Sequence, residues 1–370
     1  MLCKWLKVKL LLLIPSLGSG GAERQLVNLA LIFKKKGIDV EFLIYHNDLF
    51  YGHLLEGKGI SINQIRCFNF LDKIFKVIKF IKKNKPDVVL SFLETCDFLN
   101  CFSSIFNTHK VITTELSSKD TTFDSLRGKI FGWFRRFSHQ IVCNSFNSQK
   151  KWINNYPHYK DKMSVIYNPI NLQCINTHYI FKKNNKINLV VAASYQYLKN
   201  PIGLIKAVSM LNKEQQNKIQ INWYGRKEVS INNTKAYDEA VKLVKEYQLE
   251  DTFFLHAETI DIANKMHQAD VVGLFSSVEG LPNAICEAML IGKPIIMTRV
   301  SDFEQLVNDD NGFLCDANDF YSIFEVLKKI IELDSDRLSL LGENSKKKAA
   351  MMFNNKLILD QWLNVLGFND

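Results

Sequence analysis

Among the eight cysteines of this 370-residue chain (Cys3, Cys67, Cys96, Cys101, Cys143, Cys174, Cys286, Cys315) no two form a CxxC pair, and all are scattered through apolar segments. That pattern speaks against an oxidised, disulfide-stapled chain and suits a reducing cytosol. No apolar run approaches the ~20 residues that a membrane-crossing helix needs, so any membrane contact is expected to be peripheral. No stretch is polar or repetitive enough to remain disordered. The glycine-rich GSGGAE lacks the GxGxxG spacing of a nicotinamide-binding fingerprint. No nucleic-acid-binding motif accompanies the basic residues, and the aromatics near them fall on apolar faces, so no nucleic-acid partner is expected. The opening MLCKWLKVKLLLLIPS has the basic start and apolar run of a leader peptide. Its uninterrupted apolar core, residues 10–14, is short and runs straight into a glycine loop, which favours a buried first strand.

What is present is an ordinary globular composition, with 47% apolar and 23% charged residues. The length exceeds what one core comfortably serves, so two domains are expected. The net charge of +9 is unevenly shared. Residues 1–168 hold 25 basic against 13 acidic side chains, an excess of twelve, whereas residues 169–370 hold 22 against 25, a deficit of three. A basic surface of that kind serves nucleic acid, anionic lipid or a phosphorylated substrate, and charge alone does not choose among them.

Along the chain, apolar runs suited to buried strands alternate with helical periodicities. Residues 8–14 read as a strand, then a glycine loop, then a helix with Leu26, Leu29, Ala30 and Phe33 on one face and Gly37 at its end. Strands follow at 40–45, 87–92, 110–113 and 140–143, with a helix at 73–83. The proline between asparagines in VIYNPIN, residues 165–171, marks a connector. Beyond it the rhythm resumes, with strands at 188–193, 219–224, 253–255, 271–276 and 294–298 and helices at 235–247, 262–269 and 283–291. Alternation of this kind predicts an α/β architecture in both halves: parallel sheets covered on two faces, with ligands beyond the strands' carboxyl ends. The expected domains are 1–168 (basic) and 169–352, with 353–370 a terminal helix.

The richest segment is ADVVGLFSSVEGLPNAICEAMLIGKPIIMT, residues 269–298. It places Glu279 in the loop after a strand and Glu287 in the following helix, eight residues on, with Pro282 suited to the first helical turn. A carboxylate accepts from two adjacent hydroxyls, so a ribose diol and a hexose ring are natural partners for two such groups. Free amides at the helix start suit a diphosphate without a metal. An ordinary capping glutamate with a second, solvated one fits the same spacing. Asp334-Ser335-Asp336 has the form of a metal-binding DxD motif, but its place ahead of a late helix reads as capping.

EGLPNAICEAM resembles the E-x7-E signature of the family 4 retaining glycosyltransferases, and ADVVGLFSS and GKPIIMT are similar to its flanks. GGAERQLVNLA resembles that family's first loop, VIYNPIN its linker, YLKNPIGLIKAV the start of its second domain and NGFLCDAND its later segment. The resemblance implies the GT-B fold, two facing Rossmann-like domains with a cleft between them. It implies a metal-independent hexosyl transfer from a nucleotide diphosphate sugar to a glycan or lipid-linked acceptor, without a resident cofactor. Such chemistry belongs to O-antigen, capsule or other surface-polysaccharide assembly. The terminal helix would cross back to the first domain, and the protein would sit on the cytoplasmic face of the membrane.

By that resemblance Glu279 binds the transferred sugar, Glu287 the ribose and Lys199 the diphosphate, with Gly280, Leu281, Pro282, Asn283 and Ala284 lining the donor. Where the family carries an arginine, five residues before the lysine, this chain has Ser194; Arg226, after Gly225, is a candidate replacement. An exposed arginine after a strand is also commonplace. Gly18, Gly20 and Gly21 leave backbone amides open to a phosphate or acceptor, or simply serve a tight turn. Glu115 stands nearest to where the family offers a cleft histidine. No protein nucleophile is implied, because the departing diphosphate itself helps deprotonate the acceptor.

Lys73, Lys76, Lys79, Lys82 and Lys83 recur at helical spacing around Ile74, Val77, Ile78 and Ile81, and RGKIFGWFRRF adds Arg135 and Arg136 beside Trp133. These favour an anionic membrane surface, although a packed helix with solvated lysines has the same pattern. Two rival functions use similar ligands: a nucleotide-sugar epimerase, against which the E-x7-E loop speaks, and a noncatalytic partner of another transferase, which only the Ser194 departure invites.

Overall fold

The computed structural model describes residues 8–116, 121–170, 181, 186–228 and 233–368. The chain forms two units, Met1–Asn171 together with Phe353–Asp370, and Leu172–Met352.

Unit 1 is built on seven parallel strands: β1 (Lys9–Leu13), β2 (Asp39–Ile44), β3 (Ser61–Gln64), β4 (Val88–Ser91), β5 (Lys110–Glu115), β6 (Gln140–Cys143) and β7 (Met163–Val165). Their order is β3-β2-β1-β4-β5-β6-β7. β1 is a run of four leucines after Lys9, each at most 2% exposed, because helices cover both faces of a central parallel strand. Its register sets Leu10 beside Val40 on one side and Val88 on the other. The following helix, Gly21–Lys35, buries Leu26, Leu29, Ala30 and Phe33, and Gly37 turns it off at φ +85°.

Unit 2 holds six parallel strands: β8 (Ile187–Ala192), β9 (Ile219–Tyr224), β10 (Phe253–His256), β11 (Val271–Leu274), β12 (Ile295–Thr298) and β13 (Gly312–Cys315). Their order is β10-β9-β8-β11-β12-β13. In each sheet the winding reverses once, between β1 and β4 and between β8 and β11. Loops that leave the carboxyl ends of such strands diverge there and open a crevice.

The terminal helix Asn355–Leu366 belongs to unit 1, where Ile358, Trp362 and Leu366 are at most 3% exposed and Trp362 meets Phe33 edge-on at 6.2 Å. The six described cysteines are free thiols; Cys3 and Cys174 lie outside the described residues. No helix among the described residues is long and apolar enough to cross a membrane.

Candidate functional site

At the order reversal of the second sheet Lys199 and Glu279 are brought together. β8 ends at Ala192, and the chain continues to the short 3-10 turn Tyr197–Lys199 before the helix Pro201–Ser209. Asn200 makes that junction at φ +63°, its side chain accepting from Gly203 N and donating to Ala317 O. β11 ends at Leu274 and leads into the loop that carries Glu279. The two loops are tied by Ser277 N donating to Leu198 O at 2.8 Å. Their side chains meet where Lys199 Nζ lies 2.6 Å from Glu279 Oε1. The pair is only partly screened, with 21% and 12% of the two side chains exposed.

Three hydroxyls shape the Glu279 loop. Ser276 Oγ donates to Glu279 Oε1 at 2.6 Å, Thr298 Oγ1 donates to Ser276 O at 2.6 Å, and Ser301 Oγ donates to Gly280 O. Ser276 and Thr298 are fully buried, and Ser301 holds a left-handed φ of +56°. None of the three was singled out by sequence; a serine three residues before Glu279 is the one visible sign.

The helix Asn283–Ile291 starts on schedule, but Pro282 occupies its N-cap position rather than its first turn, with Pro282 O accepting from Ile285 N and Cys286 N. Gly280, Leu281 and Pro282 are buried, while Asn283 and Ala284 are half-buried. Glu287 sits one turn after Asn283 on the same face and is 3% exposed. A carboxylate so enclosed is retained only where donors surround it.

Ser194, Gly225 and Arg226 come together at the ends of β8 and β9. A Cβ on Gly225 would stand 1.9 Å from Ala193 O and 3.0 Å from Ser194 Cα, so glycine is demanded there by backbone contact. Tyr195 N donates to Arg226 O at 2.9 Å, and Trp223 Nε1 donates to Ala193 O at 2.7 Å. Ser194 Oγ accepts from Gln196, and Arg226 itself is exposed.

Several expectations for unit 1 are corrected. Glu115 ends β5, but its side chain is 6% exposed and Oε2 accepts from Trp152 Nε1 at 2.7 Å and Arg135 Nη2 at 3.2 Å. It is a buried counterion, not a cleft residue. Arg135, expected on a membrane surface, is 3% exposed; the same Nη2 also donates to Asp97 Oδ2 at 2.9 Å, and its guanidinium lies 4.3 Å from the Trp152 ring centroid. Sequence could not show that an arginine twenty residues on returns to β5.

The glycine loop does not match the tight-turn reading. Gly18, Gly20 and Gly21 all lack positive φ, so no turn demands them. Carboxylates crowd the loop: a Cβ on Gly18 would meet Asp48 Oδ2 at 2.4 Å and one on Gly20 would meet Glu23 Oε2 at 2.1 Å. Burial pushes the Glu23 carboxyl above its ordinary range, its own backbone N–H opposes this, and Asp48 adds to it. The Asp334 motif is a cap, its Oδ1 accepting from Arg337 N at 2.7 Å.

The helix Phe70–Asn84 buries Val77 and Ile81. Lys79, Lys82 and Lys83 are exposed, but Lys73 lies over the Tyr45 ring at 3.9 Å and Lys76 pairs with Asp72 at 2.8 Å. The exposed side of this region is more apolar than expected, with Phe68 91%, Leu71 66% and Phe75 70% exposed. Trp133, 51% exposed, lies beneath the exposed Arg136 at 4.5 Å.

Two parallel α/β units of this kind define a fold that known proteins share. Residues 19–173 match the profile described as Glycosyltransferase Family 4, and residues 178–348 match Glycosyl transferases group 1. A Campylobacter jejuni GalNAc-α-(1→4)-GalNAc-α-(1→3)-diNAcBac-PP-undecaprenol α-1,4-N-acetyl-D-galactosaminyltransferase is 25% identical over 97% of this chain and 98% of its own. A second enzyme of that organism is 25% identical over 97% of this chain and all of its own. It is named N-acetylgalactosamine-N,N'-diacetylbacillosaminyl-diphospho-undecaprenol 4-α-N-acetylgalactosaminyltransferase. In fold, the chain is similar to Anabaena HepE in complex with UDP and glucose, with a TM-score of 0.84, 20% identity and coverage of 97% and 99% of the two chains. The chain belongs to the family 4 glycosyltransferases, of GT-B fold, and is a glycosyltransferase.

Proposed function

We propose that the protein transfers a sugar from a nucleoside diphosphate sugar to a glycan carried on a polyprenyl diphosphate, with retention at the anomeric carbon, in surface-polysaccharide assembly. The observation that carries this reading is the Lys199–Glu279 pair, 2.6 Å apart at the order reversal of the second sheet. An ammonium has three donors, and only one is committed to Glu279, so two remain for the oxygens of a diphosphate. In the transfer the bond from the anomeric carbon to the diphosphate breaks and the acceptor oxygen bonds on the same face. The acceptor's proton passes to the departing diphosphate. Lys199 stabilises the charge that grows on that leaving group, Glu279 holds hydroxyls of the sugar, and Glu287 holds the ribose diol. Arg226 supplies a second cation where Ser194 offers none. Because Lys199 provides the positive charge, turnover is expected to survive EDTA.

The acceptor class is supported by the diphospho-undecaprenol acceptors named for both Campylobacter relatives. A uridine nucleotide is supported by the HepE complex. The exposed Phe68, Leu71 and Phe75, flanked by Lys79 and Lys82, suit peripheral docking on an anionic bilayer.

The test is thermal stabilisation by nucleoside diphosphates and their sugars without metal, repeated on Glu287→Gln. Ligand that binds only the folded state raises Tm. A rise with one nucleotide and its sugars, diminished in the variant, is expected. No rise with any nucleotide would favour the noncatalytic reading.

A further inference from the structure

Glu279 has two carboxylate oxygens, and both donors that reach it choose the same one. Oε1 receives Lys199 Nζ and Ser276 Oγ, each at 2.6 Å, while Oε2 receives no hydrogen bond from any described residue. The serine has little freedom to do otherwise. It is fully buried, Thr298 Oγ1 pins its carbonyl at 2.6 Å, and the next residue's N–H is bonded to Leu198 O at 2.8 Å. The backbone that presents the hydroxyl is therefore held by three separate segments: its own loop, the end of β12 and the turn that carries Lys199.

We propose that Ser276 is a positioning residue for sugar transfer: by fixing Oε1 in the ion pair with Lys199, it keeps Oε2 open as the acceptor for the sugar's hydroxyls. The inference rests on the donor-site reading given above. Without the serine hydroxyl, the ammonium is the sole donor to a carboxylate free to rotate. The low-energy arrangement is then one in which both oxygens turn to the ammonium, which withdraws Oε2 from the sugar while Lys199 keeps its place beside the diphosphate. The proposal assigns only the sugar's hydroxyls to Oε2 and no part of the nucleoside diphosphate, so the expected loss falls on sugar-dependent steps.

The experiment compares wild type, Ser276→Ala, Glu279→Gln and the double variant in two measurements: affinity for UDP, and kcat/KM with whichever of a panel of UDP-sugars wild type consumes. Ser276→Ala is expected to bind UDP within about twofold of wild type while kcat/KM falls at least about tenfold, as befits a lost hydrogen bond to a charged group. The double variant is expected to be no slower than Glu279→Gln, because the serine acts only through that carboxylate. Full activity of Ser276→Ala, an equal loss of UDP affinity, or losses that multiply in the double variant would each overturn the proposal while leaving the transferase reading intact. If wild type consumes none of the UDP-sugars, both readings fall together.

Discussion

Lys199 and Glu279 are each other's counterion, but their stability contribution and their catalytic contribution differ in size. A partly exposed pair is worth about 0–1 kcal/mol to folding, whereas a cation aimed at a leaving group is worth about a hundredfold or more in rate. Lys199→Ala should therefore leave Tm within a few degrees of wild type and lower kcat by about two orders of magnitude, which differential scanning and steady-state kinetics can separate. His109 makes the opposite kind of contribution. It is 8% exposed, Nε2 bonds Asn100 Oδ1 at 3.1 Å, and burial, with a smaller push from His139, lowers its pKa from 6.5 to about 4. A depressed folded-state value means the neutral ring's stability is fully present above about pH 6.5 and is lost as pH falls towards 4. Denaturation of unit 1 should show a loss of about 3 kcal/mol over that window, flattened in His109→Gln; an unchanged slope would contradict it. Both carboxylates of E-x7-E were legible from residue type and spacing. Ser276 and the true role of Glu115 were not, because hydroxyl orientation and the return of Arg135 are tertiary facts.

Elements were read well where one physical signal dominated. The apolar run of β9, the short β6 and the helix Asn283–Ile291 fall where sequence placed them. β3, SINQ on the sheet edge, was missed because an edge strand needs little burial, and β7 is only three residues long. The helix Glu94–Ser103 was missed for a different reason: its buried side includes Asp97, Asn100 and Ser103, which erase apolar periodicity. Their burial is tolerated because they are paired, Asn100 Nδ2 donating to Val89 O at 2.9 Å and Asp97 accepting from Ser91 at 2.7 Å. Two predictions belong to this scale. Gly225→Ala drives a Cβ into Ala193 O, which the backbone cannot yield cheaply, so it should cost about 1–3 kcal/mol and weaken UDP binding through the displaced Ser194 loop. Trp362→Ala removes the ring that packs on Phe33 and should destabilise unit 1 by about 3–5 kcal/mol in chemical denaturation; a loss below about 1 kcal/mol would show that the terminal helix contributes little.

At the scale of the whole chain, two cores and an uneven charge divide the labour. The excess of twelve basic residues in 1–168 and the deficit of three in the remainder set an electrostatic preference that salt screens. Binding to anionic vesicles should therefore be strong at low ionic strength, fade with salt, and weaken about tenfold when Phe68 and Phe75 are both changed to serine; indifference to vesicle charge would remove the membrane from the account. The central claim concerns the second unit, where one lysine and one glutamate meet at the reversal of a parallel sheet. Its most direct test follows the anomeric proton by NMR as wild type and Glu279→Gln act, in EDTA, on a panel of UDP-sugars with a diphospho-undecaprenol-linked acceptor. The account predicts that wild type consumes one donor and forms a product of the donor's own anomeric configuration, at a rate at least about a hundredfold above the variant. An inverted product, or a variant as fast as wild type, would contradict it.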